Sequence, residues 1–120
     1  MRLKSAVWVA AYLRRCQHGG AFALVERKGA DEAGAIFIKI VSGRDNVEIF
    51  GPAPQTEADE TGLRRFIKIR SAVPETEADD YLSRQRSFDP DLWIVSVEDR
   101  QSRHFLEPSD ELVGDARSAR

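Results

Sequence analysis

Apolar residues at Trp8, Val9, Tyr12, Leu13 and Cys16 recur every four positions, with an adjacent row one residue on, and predict an amphipathic helix over Ser5–His18. Ser5 is the expected N-cap, Arg14, Arg15 and His18 suit the negative end of the helix dipole, and Gly19-Gly20 supplies the stop. The period then changes to two. Residues 21–28 and 35–42 read as strands joined by the polar, glycine-bearing GADEAG, and a hairpin between them is expected. Ile36, Ile38 and Ile40 share one face of the second strand while Phe37, Lys39 and Val41 share the other, so this strand is expected to be covered on both sides. GRDN turns the chain into residues 47–51, completing an expected three-strand antiparallel meander.

Residues 52–62 hold two prolines, three acids and no periodicity, which marks a loop. Period two returns over residues 63–71. A second helix is expected over residues 74–86, with Pro74 in its first turn, Glu75, Glu77, Asp79 and Asp80 early, and Arg84 and Arg86 late. Two strands follow, an apolar one within FDPDLWIVSVEDR and a shorter one over residues 102–106. The order α-β-β-β-β-α-β-β predicts one α+β domain over residues 1–106, with two helices on a mostly antiparallel sheet of five to six strands. Residues 107–120 are expected to be a flexible tail.

Composition narrows the function classes. A chain of 120 residues has one domain's length, and its 42% hydrophobic and 32% charged residues are those of a globular protein. No apolar run approaches the roughly 20 residues that cross a bilayer, and no membrane role is expected. The early cations and apolar stretch of MRLKSAVWVAAYLRRC resemble a signal peptide, but Arg14 and Arg15 follow at once without a small-residue cleavage pattern. A single cysteine forbids an internal disulfide, and the cytoplasm is the expected location. A net charge of -2 removes the simplest electrostatic case for nucleic acid, though it leaves room for a local cationic patch.

Candidate chemistry is sparse. In FDPDLWIVSVEDR the acids Asp89, Asp91, Glu98 and Asp99 suggest a metal-dependent hydrolase or nuclease. Along one strand, however, Asp91 and Glu98 stand roughly 23 Å apart on opposite faces, and position 100 is Arg where that chemistry wants Lys. The stretch therefore reads as a strand with polar ends. Cys16 lies on the core stripe, and His18 and His104 fit no metal-ligand spacing, so no catalytic residue, metal or cofactor is assigned. Arg64, Phe66, Lys68 and Arg70 fall on one face of a regular strand, three cations around an aromatic ring, which is a surface for single-stranded nucleic acid. Pro52, Pro54, Glu57, Asp59 and Glu60 form the acidic, proline-bearing loop expected to meet a protein partner. A non-catalytic protein-interaction module is the leading expectation and nucleic-acid binding the alternative. A second copy of the chain is a further candidate to close an exposed sheet face.

The segments LKSAVWVAAYLRRC, AGAIFIKI, FGPAP and FDPDLWIVSVED together resemble domain-of-unknown-function family fourteen ninety-one, short alphaproteobacterial proteins. The resemblance covers roughly residues 1–106. It implies a small cytoplasmic bacterial protein, and no activity, cofactor or site residue.

Overall fold

The computed structural model describes residues 3–54 and 64–107, and the backbone of residues 112–115. The elements run α1 Ser5–His18, β1 Phe22–Arg27, β2 Ile36–Gly43, β3 Asn46–Pro52, β4 Phe66–Val73, α2 Glu75–Phe88, β5 Trp93–Glu98 and β6 Leu112–Asp115. Element order follows the sequence expectation. One short strand moves: residues 102–106 are not a strand, because their backbone is bent by positive φ at Ser102 (54°) and Phe105 (57°). The final strand is β6 instead. It falls within the expected tail, whose remaining residues 108–111 and 116–120 lie outside the described residues.

One six-stranded sheet has the order β1-β5-β2-β3-β4-β6. The expected β1–β2 hairpin is not formed, since β5 lies between them, antiparallel to β1 and parallel to β2. Its first five residues, Trp93, Ile94, Val95, Ser96 and Val97, are nearly all apolar, and the interior strand has Trp93, Val95 and Val97 in the α1-side core and Ile94 in the α2-side core. The meander is displaced by one strand and consists of β2, β3 and β4.

The helices occupy opposite faces. Trp8, Val9, Tyr12 and Cys16 of α1 pack on Ala23, Ile36, Ile38, Ile40, Phe50, Phe66, Val95 and Val97. Ala78 and Leu82 of α2 pack on Phe37, Val47, Ile49, Val73 and Ile94. Thus β2 is covered on both sides, as its two apolar rows require. Ser5 is not a cap. Lys4 holds that position, and the amides of Ser5 and Ala6 donate to the carbonyls of Glu32 and Asp31 while Ser5 Oγ donates to Gly34 O at 2.7 Å. The β1–β2 connection thereby caps α1 with its own backbone, satisfying amides that a helix start leaves open. Gly34 lets the same connection pass close to the start of β5, because a Cβ there would meet the Asp91 carbonyl and the Trp93 ring.

Candidate functional site

Alternation along β1 sends Ala23 and Val25 into the α1-side core and leaves Phe22, Leu24 and Glu26 on the α2 side. There α2 packs on β2, β3 and β4. Phe22 and Leu24 consequently remain 60% and 39% exposed. Strand register aligns two rows across this bare region, Phe22–Glu98–Val41 and Leu24–Ser96–Lys39. β1 is an edge of the sheet, so its outer amides and carbonyls meet no strand among the described residues.

Lys39 interrupts the apolar face of β2 and is only 4% exposed. Its ammonium lies 2.7 Å from Glu26, 2.9 Å from Asp79 and 3.8 Å from Glu75, tying β1, β2 and α2 together. Burial alone would pull its pKa down. The carboxylates of Glu26 and Asp79 outweigh that and hold it above the ordinary value.

Beyond the Phe22 row, the strand ends enclose a groove of about 690 Å³. Its wall includes Arg44 in the β2–β3 turn, Glu75 at the start of α2, and Arg100 and Arg103 after β5. Asp99 accepts two side-chain hydrogen bonds from Arg103, at 2.7 and 3.0 Å, and one from its backbone amide at 2.9 Å. The Arg103 bonds hold the Asp99 carboxyl below its usual range despite burial. Arg103 also donates to Gly19 O at 3.0 Å, so this pair pins the chain after β5 against the end of α1.

That segment continues as a strap. Tyr12 donates to His104 O at 2.6 Å, Arg15 donates to Phe105 O at 2.6 Å, and the Phe105 ring lies where a Gly19 side chain would otherwise stand. His104 Nδ1 accepts from the Leu106 amide at 2.9 Å and its ring meets Phe50 edge-on. Burial holds the imidazole pKa below its ordinary value, reinforced by Lys68 and opposed by Glu48.

The cationic strand is not assembled as regular alternation predicts. Arg64 precedes β4, is buried, and donates to Leu3 O at 2.7 Å and to Ser5 Oγ at 3.2 Å. Phe66 is core, 5.2 Å from the Trp8 ring. Lys68 lies over Phe50 and 3.4 Å from Glu48, the cross-strand pairing that neutralises a strand cation. A register shift at Ile69 then changes the parity, pairing Arg70 with Ile49 and setting its guanidinium over Tyr81 on the α2 side. The four residues thus divide between the core and two faces. Pro52 and Pro54 are exposed at the end of β3, whereas Glu57, Asp59 and Glu60 lie outside the described residues.

Among the described residues, no three of His, Cys, Asp and Glu are placed to hold a metal ion. Asp89 accepts from the Asp91 amide at 3.0 Å, and Asp99 is committed to Arg103, so these acids act as local structure. Cys16 is fully buried, and burial raises its thiol pKa away from nucleophilic use. Also among the described residues, no helix is long and apolar enough to cross a membrane. Sequence reading missed Phe22, Leu24, Arg44 and Arg100. The first two had a signal in β1, where the large apolar residues alternate with the smaller ones; the arginines read only as turn residues.

Comparison with known proteins gives a consistent picture. The family model described as "Protein of unknown function (DUF1491)" matches residues 3–107. A DUF1491 family protein from Caulobacter crescentus CB15, solved by crystallography, is 38% identical, with 93% of this chain and 98% of that chain covered and a TM-score of 0.77. An NMR structure of a DUF1491 family protein from the same organism gives 38% identity, coverage of 93% and 97%, and a TM-score of 0.77. The solution structure of protein Atu0922 from A. tumefaciens is 43% identical, with 82% and 87% covered and a TM-score of 0.74. No curated protein matches the chain.

Proposed function

We propose, from the premise that the chain belongs to the DUF1491 family, that this protein is a non-catalytic protein-interaction module acting through the edge and bare face of β1. The observation that carries this reading is the exposure of Phe22 and Leu24 on a strand whose outer edge meets no strand among the described residues. An extended segment of a partner adds there as a seventh strand. Backbone hydrogen bonds supply affinity, and side chains alternating with that strand cover Phe22 and Leu24. The acids Glu26, Glu75 and Asp79 flank this face and favour a partner strand with basic residues among its apolar ones. The buried thiol of Cys16 suits a reducing compartment, and this reading places the protein in the cytoplasm.

The test is a pull-down from native lysate with tagged wild type and Leu24→Glu, each with and without nuclease. A discrete protein retained through nuclease by wild type and lost with Leu24→Glu is the expected result. Retention by Leu24→Glu, or loss of all bound material on nuclease treatment, would overturn the reading, the latter in favour of nucleic acid. Circular dichroism of Leu24→Glu separates lost binding from lost folding. The exposed Pro52 and Pro54 keep the following loop as a second candidate contact. A partner still retained after deletion of residues 55–62 would confine binding to β1.

A further inference from the structure

Adjacent parallel strands whose chains leave in different directions open a crevice beyond their C-terminal ends, a favoured place for ligands. β2 and β5 are such a pair. After β2 the chain turns away from β5 into β3, whereas after β5 it crosses to the end of α1 through Arg103 and the strap. The groove of about 690 Å³ lies at these two ends, and its size is that of a small-molecule site.

Its charges fall into two groups. Asp99 and Arg103 satisfy each other, and Glu75 leans toward Lys39 at 3.8 Å. Arg44 and Arg100 are exposed and make no ion pair among the described residues. Arg44, Arg100 and Arg103 stand against Glu75, Glu98 and Asp99, so the described lining is balanced in charge and its cationic character is local to the Arg44 and Arg100 guanidiniums, with Glu98 at the middle of the groove-floor row. At one end Phe22 offers an aromatic ring that is 60% exposed. Guanidinium groups bind phosphate through paired hydrogen bonds, and an open aromatic face takes a flat ring.

We propose that this groove binds a small aromatic phosphomonoester, its phosphate between Arg44 and Arg100 and its ring against Phe22. Glu98 and Gln101 then face the middle of the ligand, where a hydroxyl or amino donor is accepted. The site goes beyond the β1 contact and shares Phe22 and Glu75 with it. Leu24, one row away, belongs to the edge alone.

The test is titration of the full chain, followed by amide NMR shifts, with phenyl phosphate, adenosine monophosphate, adenosine and inorganic phosphate. Saturable shifts centred on residues 42–44 and 98–103 are expected with phenyl phosphate or adenosine monophosphate. The better of these two tells a simple aryl phosphate from a nucleotide. Adenosine and inorganic phosphate should bind at least about tenfold more weakly, as should the better ester to an Arg44→Ala/Arg100→Ala double variant. Phe22→Ala should weaken the esters but not inorganic phosphate. Leu24→Glu should bind the ester as wild type does, which keeps failure of the edge reading separate from failure of this one. The proposal is overturned by no saturable shift with either ester up to about 10 mM. It is equally overturned by unchanged ester affinity in the double variant, or by inorganic phosphate binding as tightly as the esters. Because Arg44, Arg100 and Phe22 are exposed, these variants are expected to fold, and their amide spectra verify it.

Discussion

Under α1 the sheet is covered by aromatic and aliphatic side chains from one end of the helix to the other, and the strap closes the remaining margin through Phe105 and Leu106. Under α2 the cover stops short. The helix reaches β2, β3 and β4, a lysine network bridges its border, and beyond that border Phe22 and Leu24 face outward above a groove lined by Arg44 and Arg100. The helices are the same length, 14 residues, so length does not explain the difference. Composition does. α1 contributes Trp8, Val9, Tyr12 and Cys16 to the core, whereas α2 contributes only Ala78 and Leu82 and is otherwise charged or polar on most turns. A face sealed by large side chains supports the fold; a face sealed in part leaves surface for binding.

The comparison predicts where stability resides. Trp8 stacks on Tyr12 at 5.0 Å and contacts Phe66 at 5.2 Å, so Trp8→Ala is expected to cost about 3–5 kcal/mol in urea unfolding. A cost below about 1 kcal/mol would break the assignment of the α1 face as the main core. On the other face, Lys39→Met keeps the packed stem and removes the ammonium. It is expected to cost about 1–3 kcal/mol, less than a fully buried pair would, because Glu26 and Asp79 are partly exposed and can hydrate.

The strap gives a smaller effect that depends on pH. The folded pKa of His104 lies below its ordinary value of 6.5, so in the window between the two the unfolded chain binds more protons. Stability contributed by the neutral imidazole is therefore present above 6.5 and declines as pH falls through the window toward the folded pKa. The slope is at most about 1.4 kcal/mol per pH unit. The depressed Asp99 adds a decline in the same direction at lower pH, as the value falls below the ordinary 3.8. Unfolding curves between pH 7.5 and 5 should show the first decline in wild type and not in His104→Asn; the same slope in both would remove His104 as its source. The smallest stability change belongs to the open edge. Leu24→Glu is expected to move unfolding free energy by less than about 0.5 kcal/mol while abolishing partner capture. A large destabilisation would mean that Leu24 is part of the fold and not of an interface.

Much of the architecture was legible locally. α1 is the helix its four-residue spacing predicts, and each long strand expected from period two appears within a few residues of its place. Less of the candidate site was legible. Lys39 in IFIKIV was legible only as a member of the second face of β2, and the acids that hold it come from Glu26, Asp79 and Glu75, which are 13, 40 and 36 positions away in sequence. The cationic strand failed as a surface for a similar reason. Parity along a strand holds only while pairing is regular, and the shift at Ile69 moved Arg70 to the face opposite Lys68.

By itself, then, the sequence determined the identity of both helices and of five strands, and the double-faced burial of β2. These are decided by side-chain alternation and by reach along a few residues, both of which the chain carries locally. Tertiary structure alone decided that β5 enters between β1 and β2, that α2 leaves β1 bare, and that Arg44, Arg100 and Phe22 meet at one groove. Several apolar strands could satisfy the same neighbour equally well, so pairing order depends on which arrangement buries every face at once. That is a property of the whole chain, and the site at the strand ends inherits it.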